Sequence, residues 1–233
     1  MAYPLVKKTI NSVNESNQVE KHVLRGPSLG PVESDIGKSE LPENFGEIAK
    51  GIYRSSFPQP WNLPALKVLE LRTVITLVDE PYSHSHMSFL KENGIKHYRV
   101  PVIANKDATV KTPECVVNSI LRIMLNKSNH PILIHCNKGR HRTGCVTGCF
   151  RKLQGWKRQD IVDEYVRYAR PKQRQLDEVF IEEFDPSKLS NLVQDSGAKS
   201  WDSSGKYVKI QHEEDQNSPK NLLQLPCNKI RVS

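Results

Sequence analysis

The stretch that most constrains the fold is Pro131-Ile132-Leu133-Ile134-His135-Cys136-Asn137-Lys138-Gly139-Arg140-His141-Arg142-Thr143-Gly144. Pro131 to Ile134 is a short apolar run that fits an inner strand. Gly139 lets the backbone turn closely. From Gly144 the segment Cys145-Val146-Thr147-Gly148-Cys149-Phe150 continues through Gln154 as a helix. A loop between a strand and a helix N-terminus aims successive backbone N–H groups into one small cup, and such a cup binds anions.

Cys136 and Arg142 stand across this cup from one another. A thiol, with a reference pKa of about 8.5, is only partly ionised at neutral pH. A helix N-terminus and adjacent cations favour the thiolate, and the loop supplies both, with Lys138, Arg140, His141 and Arg142 and no acid. The planar fork of Arg142 can grip two phosphate oxygens, which a Lys could not do. The simplest chemistry is attack of the Cys136 thiolate on a phosphoryl group whose oxygens are held by Arg142 and by the loop from Asn137 through Gly139. The Thr143 hydroxyl can hydrogen-bond the thiolate and ease hydrolysis of the thiophosphate. The alternative is a structural Cys with solvated basic neighbours. A bare C-x5-R pattern also occurs in rhodanese-like and arsenate-reductase loops, whereas HCxxGxxRTG after an apolar strand is far more selective.

The string HCNKGRHRTGC resembles the signature loop of the cysteine-dependent phosphatases. Its continuation, GCFRKLQGW and then DEYVRYARPKQRQLDEVFIEEFD, is similar to the plant-and-fungi atypical dual-specificity phosphatases, whose members include diphosphoinositol polyphosphate phosphatases. The similarity runs from Leu41 to Asp185 and includes NFGEIAKGIYRSSFPQP and VPVIANKDATV. The resemblance implies a dual-specificity-phosphatase-like fold and a phosphatase without cofactor. It also implies an acid after Asn105-Lys106, which makes Asp107 the candidate proton donor, and basic positions at Lys172 and Arg174 near the same mouth. No Trp-Pro-Asp stretch is present, so the acid loop cannot be placed by motif.

Composition narrows the partners. Net charge is +8, and the two ends of the chain are close to balanced, so most of the excess lies between them. A basic middle suits nucleic acid, an anionic membrane or a polyphosphate. No basic-aromatic interleaving of the single-strand-binding kind is seen, and basic residues gather at the loop, so a small polyanion is expected and nucleic acid is not. Five Cys, an odd number without regular spacing, do not form a disulfide framework. No signal peptide and no run of about twenty apolar residues is found, which predicts a cytoplasmic protein. His84, His86, His97 and His130 show no metal-ligand spacing with Cys, so no metal is expected.

The chain divides into three parts. Residues 1–40, polar and broken by Gly-Pro pairs, read as a disordered extension. Residues 41–185 read as the phosphatase domain. Residues 186–233 read as a mostly flexible tail, with Leu189, Leu192 or Trp201 able to dock on the domain. Protein partners are possible through either tail. Within the domain, strands are predicted at 52–54, 73–78, 95–102 and 131–134. Helices are predicted at 64–71, 85–93, 113–125, 144–154, 161–168 and 176–184. This alternation implies an α/β fold with a mostly parallel central sheet and helices on both faces, its ligand site beyond the carboxyl ends of the strands.

Beyond Cys136 and Arg142, the extra loop cations Lys138, Arg140 and His141, with Lys106 from the neighbouring loop, are candidates for further phosphates on one ligand. Cys145 and Cys149, one helical turn apart, read as core thiols, although a protective Cys136–Cys145 disulfide is an open alternative. Three functions compete. One is a phosphatase acting on the β-phosphate of a diphosphoinositol polyphosphate, another is a protein tyrosine or dual-specificity phosphatase acting on a phosphoprotein, and the third is a catalytically silent phosphate-binding module.

Overall fold

The computed structural model describes residues 40–202 and 231–232. Strands β1 (Gly46–Ala49) and β2 (Ile52–Ser55) form an antiparallel hairpin. Strands β3 (Thr73–Thr76), β4 (Lys96–Arg99) and β5 (Ile132–His135) join β2 in parallel. The short β6 (Arg231–Val232) lies antiparallel beside β4. The spatial order is β1-β2-β5-β3-β4-β6. The Pro131 strand is therefore an inner one, its His135 paired with Ser55 on one side and Thr76 on the other. This is the expected mostly parallel α/β sheet.

Side chains along a strand alternate between the two faces, and β5 is apolar on both. Ile132 and Ile134 pack into the core that holds α3 (Glu114–Leu125) and α4 (His141–Gln154). Leu133 packs on the opposite face with Val74, Leu66 of α1 (Leu63–Lys67) and Leu90 of α2 (His84–Glu92). Helices α5 (Arg158–Ala169) and α6 (Gln175–Glu183) lean directly on α4 at Gly144 and Gly148. A Cβ at Gly144 would stand 2.9 Å from the Tyr165 ring, and one at Gly148 would stand 2.6 Å from Ile181. These close approaches fix the first turn of α4, which carries Arg142.

The domain does not end at Asp185. A turn at Pro186–Leu189 leads into α7 (Ser190–Ser196), and a further turn spans Ala198–Ser200. Leu189, Val193 and Ala198 are buried in the main core, with Leu192 and Trp201 packed against it. The Gln154 side-chain amide donates to the carbonyls of Ala198 at 3.0 Å and Trp201 at 2.7 Å. The docking expected of Leu189, Leu192 and Trp201 is seen, but the polar composition of the stretch concealed the short helix that carries it. The expected extension over 1–40 and the rest of the expected tail, with any partner-binding role for either, lie outside the described residues apart from Glu40, Trp201, Asp202 and β6.

Candidate active site

The loop after β5 is built by tethering its carbonyls outward. The Phe57 N–H donates to the Asn137 carbonyl at 3.1 Å. Asn44 Nδ2 donates to the Lys138 carbonyl at 2.8 Å and Arg54 Nη2 to the Gly139 carbonyl at 2.7 Å. Across a trans peptide the C=O and the next N–H point in opposite directions. These tethers therefore turn the N–H groups of Lys138, Gly139 and Arg140 into the cup, where the N-terminus of α4 adds its own. Gly139 has φ +64, and a Cβ there would lie 2.6 Å from both the carbonyl carbon and oxygen of Ser55. Cys136 sits at the cup's floor, 3% exposed. Asn137 contributes through its backbone, because its side-chain amide donates to Glu80 Oε1 at 2.8 Å.

Arg142 lies half-buried on the first turn of α4. Thr143 is fully buried and its Oγ1 has no hydrogen-bond partner, which leaves its hydroxyl available to a further partner. The cations divide differently from the expected set. Lys138 is exposed, but Arg140 is buried and cannot extend into solvent toward a distant phosphate. The His141 ring hydrogen-bonds through Nε2 to the Lys172 carbonyl, so it fastens the segment after α5 to the loop. Burial pushes the His141 imidazole down, so the ring is disposed to stay neutral. From the neighbouring loop comes Lys106. Burial, then the Arg174 and Arg142 cations, pull its pKa down, so both arginines lie within electrostatic reach of Lys106. Lys172 is half-buried.

Asp107 is exposed, and its Oδ1 accepts hydrogen bonds from the Thr109 N–H and hydroxyl, both at 2.8 Å. These bonds hold its carboxyl below the usual range. They favour the carboxylate over the acid.

Three supporting groups carried no sequence signal. Arg54 is one. The second is a buried knot in which Asp177 accepts from Asn105 Nδ2 at 2.9 Å and from Tyr165 Oη at 2.6 Å, while the Arg174 N–H donates to Tyr165 Oη at 3.0 Å. The knot fixes Asn105, next to Lys106, and Arg174 in one frame. The third lies beneath His135. Thr76 Oγ1 is 2.9 Å from His97 Nε2 and 3.0 Å from His135 Nε2. The Tyr82 hydroxyl, held protonated by burial, shares a hydrogen bond with His135 Nε2.

Burial pushes the His135 imidazole down to about 3. Burial, and then Arg99, push His97 down to about 4. Both histidines are neutral in the fold, whereas the unfolded chain protonates them near pH 6.5. Stability from this cluster is therefore fully present above about pH 6.5 and is lost as the pH falls toward 4 and 3. Between pH 7 and 5 the expected loss is on the order of 2–4 kcal/mol. Urea unfolding at the two pH values measures it; a midpoint unchanged from pH 7 to pH 5 would contradict it.

Among the described residues no group of three His, Cys, Asp or Glu could hold a metal ion. Cys136, Cys145 and Cys149 are free thiols. Burial pushes Cys145 and Cys149 up, as core thiols require. No helix among the described residues is long and apolar enough to cross a membrane.

A parallel sheet that delivers a thiol into an amide cup, with an arginine on the next helical turn, is the arrangement of phosphatases that work through a cysteinyl-phosphate. The chain belongs to the tyrosine phosphatase family, whose model matches residues 41–203. The inositol diphosphatase SIW14 of Saccharomyces cerevisiae is 46% identical over 153 residues, which cover 65% of this chain and 54% of that protein. The chain thus spans about half the length of that relative. The inositol diphosphatase DSP1 of Oryza sativa subsp. japonica is 44% identical over 151 residues, covering 65% of this chain and 68% of that one. The crystal structure of the core catalytic domain of PP-IP phosphatase SIW14 from S. cerevisiae, in complex with citrate, matches with a TM-score of 0.65 and 42% identity over 70% of this chain and 98% of that one. P. aeruginosa TpbA, 20% identical with a TM-score of 0.52, shares the fold alone.

Proposed function

We propose that the protein hydrolyses the β-phosphate of diphosphoinositol polyphosphates through a cysteinyl-phosphate. The Cys136 thiolate attacks the terminal phosphorus, and the P–O bond to the inner phosphate breaks. The inner phosphate leaves with the electron pair. Water then attacks the thiophosphate, releasing inorganic phosphate and restoring the thiolate. Arg142 and the loop N–H groups hold the transferred oxygens in both steps. Both Cys136 and Arg142 are present, which speaks against a silent binding module.

The observation that carries the substrate is the knot of Asp177, Asn105 and Tyr165, which holds the residue before Lys106 and the Arg174 backbone in one frame, with Lys106, Arg142 and Arg174 in electrostatic reach of one another. A single phosphate needs only Arg142 and the cup. Two more cations crowded against it lower their mutual repulsion by taking up further phosphates, which a ring densely substituted with phosphate supplies. The state of Asp107 agrees with this. A phosphate leaving group departs without a donated proton, whereas the alkoxide of a phosphoserine does not. The relatives named inositol diphosphatases support the same reading. The absence of a membrane-crossing helix from the described residues agrees with a cytoplasmic site of action.

Lys106→Ala and Arg174→Ala are the test. Each is expected to lower kcat/KM for a diphosphoinositol polyphosphate about ten- to hundredfold, the scale of a charge-assisted hydrogen bond, and kcat/KM for a small aryl phosphate less than about threefold. In the same panel Asp107→Asn is expected to leave diphosphoinositol turnover within about threefold of the parent. Equal losses on both substrates from Lys106→Ala and Arg174→Ala would defeat the assignment of the mouth.

A further inference from the structure

The largest fully buried side chain is a charged one. Arg54, on β2, is 1% exposed. Its Nη2 donates to the Gly139 carbonyl, and its guanidinium carbon lies 3.7 Å from the centre of the Tyr168 ring. Its Nε and Nη1 have no hydrogen-bond partner. The nearby carboxylate that could have paired with it, Glu164, is taken by Arg151, at 2.7 Å and 3.0 Å in a two-pronged grip. A guanidinium stays charged in proteins, and a buried charge without a bonded counter-ion is costly. One aromatic face and one carbonyl offset only part of that cost. What remains for Arg54 is the negative charge that the reaction itself places in the cup, directly beyond Gly139.

We propose that Arg54 is a positioning residue for the phosphatase reaction: it holds the Gly139 carbonyl outward, so that the loop N–H groups face the cup, and its fixed positive charge behind the loop supports the Cys136 thiolate and the phosphoryl oxygens. The inference rests on the cysteinyl-phosphate reading. The charged and titratable groups around the pair are Tyr168 and Glu164 from α5, Arg151 from α4 and Cys136 itself around Arg54. Arg140, Arg142, Cys145 and His135 lie on the elements that carry or follow the thiol. Glu164 and Cys136 favour the charged guanidinium while burial opposes it. Arg54 and the thiolate are thus mutually stabilising, and removing one should raise the cost of the other.

The test uses the full chain with Arg54→Met, which keeps the length and removes the charge, and Arg54→Lys, which keeps the charge and loses the fork. Two quantities are read: kcat and KM on a small aryl phosphate, and the rate of Cys136 alkylation by iodoacetamide across pH, which needs no turnover. For Arg54→Met, kcat should fall about a hundredfold with KM within about threefold, and the pH at which alkylation reaches half its maximum should rise by about one or more. Arg54→Lys should return that midpoint toward the parent value while recovering kcat only in part. A merely structural role would lower the active fraction and leave the midpoint where it was. A folded Arg54→Met protein with the parental midpoint and kcat would overturn the proposal. If Arg54→Met does not fold, the parent protein decides with nitrogen-15-labelled arginine. The Arg54 Nη resonances should move as the thiol ionises and stay still in Cys136→Ser, and resonances that do not move in the parent would overturn the proposal equally. Turnover retained by Cys136→Ser would instead refute the cysteinyl-phosphate reading, whatever Arg54 does.

Discussion

Cys136→Ser is expected to lower turnover by about four orders of magnitude or more while leaving binding of vanadate or phosphate within a few fold of the parent. A serine hydroxyl at the same place has no thiolate-like ionisation near neutral pH, and no general base stands beside it to make one. The buried neighbour His135 is a poor base, its imidazole pushed down to about 3 by burial and its Nε2 engaged by Thr76 and Tyr82. The cup should survive the change, because its carbonyls are tethered by Phe57, Asn44 and Arg54 and by nothing on the Cys136 side chain. Removing a nucleophile commonly costs factors of this size, with residual rate supplied by binding alone. Single-turnover measurements with a phosphate monoester check it. Labelled phosphate trapped on the parent protein by acid quench, and absent from Cys136→Ser, would complete the demonstration.

Gly139→Ala is the second large effect. The positive φ disfavours any side chain, and the space is also closed. The added methyl would meet backbone atoms of Ser55, the last residue of inner strand β2, and of Ser56 just past it, at 2.6 to 2.7 Å. The loop must move outward, which breaks the Arg54 to Gly139 bond and turns the N–H groups of Gly139 and Arg140 off the phosphoryl oxygens. A displacement near 1 Å in a catalytic array costs about a hundredfold in rate, and a loss of that size or larger in kcat is expected. The sheet and its cores do not depend on the loop, so thermal stability should fall by only about 1–3 kcal/mol. A Gly139→Ala enzyme that turns over at the parental rate would show that the loop does not have the shape described.

Much of this site was legible in the chain because the chemistry is concentrated in one continuous stretch. A strand long enough to be buried on both faces, a glycine at the turn and a helix start put Cys136 and Arg142 opposite one another with few alternatives. The α/β layering was legible for the same reason, since each strand and helix from Thr73 to Phe184 carries its own apolar pattern. The β1 strand was not, because Gly46-Glu47-Ile48-Ala49 has little β signal and is extended mainly by its pairing with β2. Helix α7 escaped because its few docking side chains are diluted by polar neighbours. The expected cations part company in the fold: Arg140 is buried and the His141 ring bonds the Lys172 carbonyl, while Lys106 and Arg174, which the sequence also offered, lie within electrostatic reach of one another. Arg54 and Asp177 could not be found by pattern, because an arginine in a strand and an acid at the start of a helix usually face water. Only the tertiary fold makes them buried supports of the loop and of the mouth.

On the proposed function, the cations around Arg142 serve phosphates other than the one transferred. The measurement that tests it most directly is kcat/KM determined side by side on a diphosphoinositol polyphosphate and on phosphotyrosine and phosphoserine peptides, with the full chain at one pH and one salt concentration. Two additional charge-assisted contacts that persist in the transition state separate such substrates by about two to four orders of magnitude, and added salt should narrow the gap. The diphosphoinositol polyphosphate is expected to be preferred by at least about a hundredfold. A phosphopeptide turned over as well as, or better than, every diphosphoinositol polyphosphate tested would contradict it.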